Sequence, residues 1–295
     1  MPNTIAGVNL AEIAMESLPA LQSVFAPLQG IATDFSADIS ARGESVTTRF
    51  PSNPTAQDLS GGYTATGVTT TARTVNLDQF YGFVWGFNDL ERSKSSIMLN
   101  DLFIQPAATA LGRYVFEQLW ANVVSANFTA TPIDQTPAQF NRDTLIDLSA
   151  ALTNAGAPSE GRAIITNPTY FGSILKTLNT AEFPGFIAQK ADGTVPRVAK
   201  FDVYESDRAL DNGQNLQAFA FHKSALIMAA RSVDATGATQ VGVEVEDFVI
   251  PGLNLPVQMR RWYAPATGQL NYSLGVLFGT SIGRTEFGIR VVNTD

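Results

Sequence analysis

The chemistry open to this chain is narrow, because it holds one histidine and no cysteine in 295 residues. His222 lies in LQAFAFHKSALIMAAR, from Leu216 to Arg231. Metal sites built from His/His or Cys/His sets are excluded, and so is a thiol nucleophile. A Ser–His–Asp triad would have to use His222 itself. No serine stands in a G-x-S-x-G turn, so His222, between Phe221 and Lys223 near a strand end, reads as a structural residue rather than a general base. The second candidate is the carboxylate group Glu244, Glu246 and Asp247 in VEVEDF. Glu244 and Glu246 share one face of a strand, a placement that could serve a divalent cation or glycoside chemistry. A solvated strand face is the simpler reading. Neither G-x-G-x-x-G nor G-x-x-x-x-G-K occurs, so no phosphate-binding loop is expected. No catalytic, cofactor-binding or metal-ligating residue is assigned, and the chain is not expected to be an enzyme.

Composition narrows the partners. Net charge is −8, and charged residues make up 16% of the chain, below the usual quarter. Lysines are limited to Lys94, Lys176, Lys190, Lys200 and Lys223. Tight binding to duplex DNA needs clustered basic residues. The densest basic pair here, Arg260-Arg261, would point to opposite faces of a strand. Nucleic acid can therefore be contained but not gripped. No stretch approaches 18 consecutive apolar residues, so no membrane span is expected. The opening MPNTIAGVNLAEIAMESLPAL has acidic residues and no basic region, unlike a signal peptide, and implies a cytoplasmic site of synthesis. Surface polarity comes from Ser, Thr, Asn and Gln. That suits a surface covered by neighbours, and also a secreted β-protein.

The elements that must position these residues follow from patterning. Within 1–32, Leu10, Ile13, Ala14, Leu18, Leu21, Val24, Phe25 and Leu28 form a helical apolar stripe interrupted by Pro19 and Pro27. Residues 33–82 carry two Thr/Val-rich runs around a Pro/Asn/Gly-rich middle with Gly61-Gly62, the pattern of a long β-hairpin. Its apolar residues are few: Val46, Phe50, Leu59, Tyr63, Val68, Val75 and Leu77. An isolated two-stranded sheet is marginal in water, so this hairpin must lie against its own domain or another subunit. An aromatic strand follows with Phe83, Trp85 and Phe87 on one face, then a cap at Ser95, Ser96 or Asn100. A long helix is expected to about Ala126, with Ile104, Ala108, Leu111, Val115, Leu119 and Asn122 at helical spacing and Pro106 in its first turn or at a kink. Some 25 residues would make a beam of roughly 38 Å. A second helix is expected over 137–160, opened by Thr136 or Pro137 and closed by Gly156 and Pro158. RAIITNPTYFGSILKTL reads as a strand, a turn at Asn167-Pro168 and a helix. Strand-like runs then follow in FDVYESD, AFAFHKSALIMAAR, VGVEVED, LPVQMRRWYA, LNYSLGVLFG and FGIRVV, with a hairpin turn from Ala264 to Gly268. The order is that of an α+β protein.

Four blocks in this order resemble major capsid proteins of tailed phages with the Hong Kong 97 fold, the podovirus-type coat proteins in particular. They are VNLDQFYGFVWGFNDLERSKS, FIQPAATALGRYVFEQLW, RAIITNPTYFGSILKTL, and KFDVYESD with AFAFHKSALIMAAR. The resemblance implies an N-terminal arm (1–45), an extended hairpin loop (46–82) and a peripheral domain with the spine helix (83–150). It further implies an axial domain (151–239), long strands of the peripheral domain (240–280) and a C-terminal strand (281–295). It implies a structural subunit that self-assembles, as hexamers and pentamers, into an icosahedral shell around viral double-stranded DNA. The hairpin would lie over the neighbouring subunit, with Phe50, Leu59, Tyr63, Val68 and Val75 as inter-subunit contacts. The implied location is the virion capsid, assembled in the host cytoplasm. The further partners are a scaffolding protein, a portal and a decoration protein, with DNA contacted only weakly.

Two departures from the family pattern matter. Some members cross-link subunits through a hairpin lysine, but residues 33–82 hold only Arg42, Arg49 and Arg73 as basic residues, so no such bond is expected. The sequence also starts some 30 residues before the hairpin region, which implies a separate scaffold or an upstream cleavage. Within the same fold, an encapsulin-like compartment or a gene-transfer particle is the alternative. A receptor- or carbohydrate-binding β-protein is a different class, which the long helix argues against. A hydrolase built on His222 with Glu244 or Asp247 is the weakest reading.

Overall fold

The computed structural model describes residues 21, 25–31, 45–52, 56–60, 62, 67–94, 99–178, 195, 197–250 and 255–294. Most of the expected N-terminal stripe, Tyr63 and the cap candidates Ser95 and Ser96 lie outside them, as does the side chain of Asn100. Of the stripe, Leu21, Phe25 and Leu28 are buried, the last in a 3-10 turn at Ala26–Gly30.

The β-branched runs pair as expected. β1 (Ser45–Pro51) and β2 (Thr70–Asn76) form a two-stranded antiparallel hairpin in which Val46 faces Val75. The chain continues into β3 (Gln79–Asn88), a short helix α1 (Asp89–Lys94) and the long helix α2 (Leu99–Trp120). α2 has 22 residues, about 33 Å, and Pro106 lies inside it rather than in its first turn. It stops at Trp120, short of the expected Ala126. There Asn122 and Val123 donate to the carbonyls of Leu119 and Trp120, and Asn127 Nδ2 reaches back to the Asn122 carbonyl. The Asn122 side chain instead bonds Thr280 Oγ1 at 3.1 Å.

After the short β4 (Ile133–Asp134) comes helix α3 (Arg142–Asn154). It starts later than expected because Asn141, not Thr136 or Pro137, caps it. Asn141 accepts from the N–H groups of Asp143 and Thr144, and the Thr144 hydroxyl answers with a bond to the Asn141 N–H. Thr136 is occupied in its own turn with Gln139. β5 (Arg162–Thr166) leads through Asn167, which caps the helix, and Pro168 into α4 (Pro168–Thr177). Then come β6 (Phe201–Glu205), β7 (Leu216–His222), β8 (Leu226–Arg231) and a short α5 (Thr236–Gln240). β9 (Glu244–Ile250), β10 (Leu255–Ala264), β11 (Gln269–Ile282) and β12 (Gly288–Val292) complete the order.

These strands make two five-stranded sheets. The first is antiparallel, ordered β3-β11-β10-β9, with β8 also paired to β11. The second is mixed, ordered β4-β12-β7-β5-β6. Sheet membership does not follow sequence order. β8 belongs with the first sheet, although it falls inside 151–239, and β12 belongs with the second. α3 straddles residue 150 and packs on β7 and β12. β3 begins at Gln79, inside the span expected for the hairpin loop, and β11 runs to Ile282, past residue 280. Strand allegiance depends on pairing across long sequence separations, and local patterning carries no such information.

Candidate assembly surface

The chemical candidates resolve into structural roles. His222 ends β7 and is buried, its ring edge-on to Phe287 at 5.8 Å. Its Nδ1 lies 2.8 Å from Ser224 Oγ and accepts from the Ser224 N–H. Burial first, then Lys223, Arg162 and Arg284, hold its pKa below the ordinary 6.5, so the ring is neutral at pH 7. Glu244 and Glu246 do share a face of β9, but Glu244 is ion-paired with Arg261 on β10. Asp247 points the other way and accepts from Gln258 Nε2 at 2.9 Å. Arg260 and Arg261 sit on opposite faces of β10, Arg260 Nε donating to Gln258 Oε1 at 2.7 Å. Among the described residues no three acidic or histidine side chains are grouped to hold a metal ion.

The surface features with consequence are apolar. One face of the first sheet is covered by α2: Tyr272, Leu274, Val276 and Phe278 of β11 are buried, and Tyr114 of α2 stacks on Tyr81 of β3 at 4.0 Å. Phe83, Trp85 and Phe87 alternate onto this side as expected, with Phe83 remaining partly exposed. The opposite face is covered by the hairpin base at its β8 end, where Ile227 and Ala229 are buried, and is open around β3. Phe80 is 55% exposed and Val84 60%, and both flank a groove of about 360 Å³ lined also by Trp262, Arg260 and Val243. Glycines form its floor: a methyl group on Gly82 would stand 2.3 Å from the Leu274 carbonyl oxygen. Large apolar side chains left together on one face mark a contact surface.

The hairpin divides into a seated base and an uncovered tip. Val75 is 1% exposed and packs with Val46, Leu77, Ile227 and Ala229 of the same chain, with Phe50 against the edge of that cluster. The chain thus covers Val75 itself. Leu59 at 47% and Val68 at 49% are open, and Tyr63 lies outside the described residues. Of the five residues, Val75 is buried and Phe50 half-buried within the chain, while Leu59 and Val68 are exposed.

Sequence reasoning missed three arginines. Arg162, at the start of β5, is fully buried without a carboxylate. It donates to the carbonyls of Ser149, Ala157 and Pro158 and to the hydroxyls of Ser149 and Thr153, and burial lowers its pKa. Arg290 is buried in β12 beside Gln214. Arg284 touches the hairpin: it donates to the Pro51 carbonyl at 2.5 Å and lies over the rings of Phe50 and Phe287. A single basic residue in an otherwise apolar strand was the available signal for Arg162 and Arg290. Arg284 gave none.

No protein-family model matches this chain, and no curated protein matches it in sequence. Its fold matches solved structures over nearly its whole length. A structure from Mycobacterium phage Che8 superposes with a TM-score of 0.59 at 18% identity, covering 89% of each chain. A capsid structure of the cyanophage P-SCSP1u gives 0.56 at 13% identity over 86% of this chain and 85% of that one. A virus-like particle from Pyrococcus furiosus gives 0.54 at 11% identity over 96% and 98%. The chain therefore has a tailed-phage major-capsid-like, mixed α+β fold.

Proposed function

We propose that this chain is the repeating subunit of a closed icosahedral shell that encloses double-stranded DNA. One observation carries the reading beyond fold likeness: the single chain leaves an apolar patch around Phe80, Val84 and Val249 on the first sheet and a hairpin tip uncovered, while the central strands of its other sheet are buried. In a shell such surfaces meet copies of themselves, and an interface repeated around a closed symmetric assembly becomes effectively irreversible even when each contact is weak. The second sheet is the axial domain near the centre of each hexamer or pentamer. The first sheet with α2 is the peripheral domain, and Leu59, Tyr63 and Val68 reach a neighbouring subunit. The net charge of −8 supports enclosure of DNA with weak contact only. A scaffolding protein and a portal complete assembly, and a decoration protein would bind the outer surface. The likeness to a virus-like particle over 96% of the chain favours, as second reading, an encapsulin-like shell or gene-transfer particle.

The test is expression with and without neighbouring genes, followed by negative-stain electron microscopy of the high-speed pellet and nucleic-acid measurement. Uniform shells support the proposal, and DNA content separates its two forms. A monodisperse monomer in both settings would overturn it. Deleting residues 52–72 should leave a folded subunit that no longer makes normal shells.

A further inference from the structure

Two chain crossings run side by side between the sheets. β7 passes to β8 through 222–226, and β11 passes to β12 through 282–288. They are zipped together: Gly283 and Arg284 donate their N–H groups to the carbonyls of Ala225 and Ser224, both at 2.9 Å. Gly283 admits no side chain, since a methyl group there would stand 2.0 Å from the Ser224 oxygen. Ser224 is in turn oriented by His222, whose Nδ1 accepts from its N–H and lies 2.8 Å from its hydroxyl. From this seat the Arg284 guanidinium extends to the Pro51 carbonyl and the Phe50 ring, at the last residues of β1. Past Pro51, among the described residues, the Ser52–Thr69 pair continues the ladder.

We propose that the zipped crossings form an acid-sensitive clasp for the hairpin: neutral His222 holds the turn that seats Arg284, and protonation of His222 releases Arg284 from Pro51. The ring can accept from Ser224 only while Nδ1 is unprotonated. The charges that face it are cationic: Arg162 opposite it on β5, Lys223 beside it and Arg284 from the second crossing. Glu160 and Glu286 are the nearest acids along these segments. Both are exposed, and of Glu160 it is the backbone that bonds the ring. A proton on His222 therefore loses the bond from the Ser224 N–H, forces the Ser224 hydroxyl to turn from donor to acceptor, and gains three repelling neighbours. The released state restores an ordinary imidazole, so release grows as pH falls below about 6.5, by at most about tenfold per pH unit for one proton.

The clasp belongs to a single chain, so its test does not rest on shell formation. Hydrogen–deuterium exchange of the full chain, with free subunits and particles separated first, is compared at pH 7.5 and pH 5.0 after correction for intrinsic exchange. Amides of β1 and β2 should lose protection several-fold at the lower pH, while those of β5 and β7 keep theirs. His222→Asn, whose Oδ1 still accepts from Ser224 but does not titrate, should hold β1 and β2 protected at both values. Arg284→Ala should expose them at both. Equal hairpin protection of the wild type at the two pH values overturns the proposal without reference to any variant. So does the same acid loss in His222→Asn.

Discussion

The two sheets are built to similar size but finished differently. In the second, both faces of β5 and β7 are closed. α3 covers the side carrying Arg162 and Ile164, while the turn at 26–30 brings Gly30 against Ala163 and Phe221 on the other side. Every residue of β5 is buried, and Phe219 stacks on Phe221 and meets Phe128 edge-on within that core. In the first sheet α2 covers one face but leaves Tyr81 and Phe83 partly exposed, and the other face, covered by the hairpin base at β8, leaves Phe80, Val84 and Val249 open. A closed sheet meets its own stability needs. A sheet with an apolar patch open is complete only when something else lies on it, so under the proposed function the first sheet is where a neighbouring subunit would bind.

The largest effect should come from opening the closed sheet. Phe219→Ala is expected to cost about 3–5 kcal/mol in denaturant unfolding, because the cavity lies among rings that cannot collapse into it. Arg162→Ala should cost about 3 kcal/mol on the same measurement: it strands the Ser149, Ala157 and Pro158 carbonyls in a buried site. A loss under 1 kcal/mol would mean that water replaces the guanidinium there. Gly279→Ala probes the seam between hairpin and first sheet. A methyl group would stand 1.8 Å from the Asn76 carbonyl oxygen, so the hairpin base must shift, at about 2 kcal/mol and with early proteolysis of residues 45–76. The smallest change in stability, within about 0.5 kcal/mol, is expected for Phe80→Ser and Val84→Ser on the open face. These two should nevertheless depress particle yield. Undiminished yield would remove the open face from the assembly surface and erase the distinction between the sheets.

Several elements were legible because their signals are local. Asn167-Pro168 separates β5 from α4 through a side-chain cap and a ring that pre-sets the first helical turn. Ala264 to Gly268 turns β10 into β11, with Gly268 at φ +60° where a side chain would be strained. The alternation of Phe83, Trp85 and Phe87 marked the face that meets α2. Where two local signals competed, reading failed. Thr136 and Asn141 are both capable caps; Asn141 takes the N–H groups of Asp143 and Thr144 and starts the helix, while the Thr136 N–H turns onto the Gln139 side chain. The contact residues split for the same kind of reason. Val75 and Leu59 look alike as isolated apolar residues in a polar hairpin, yet Ile227 and Ala229, some 150 positions away, cover only Val75.

By itself the sequence determined the class of elements, the poverty of chemistry and the acidic balance, since each follows from residue type and short-range spacing. The tertiary structure alone decided which strands share a sheet, which part of a sheet face stays open, and that His222, Ser224 and Arg284 meet beside the tip-side end of β1. Those outcomes depend on pairing between crossings some 60 residues apart, where a one-residue slip in register would exchange the covered and open faces.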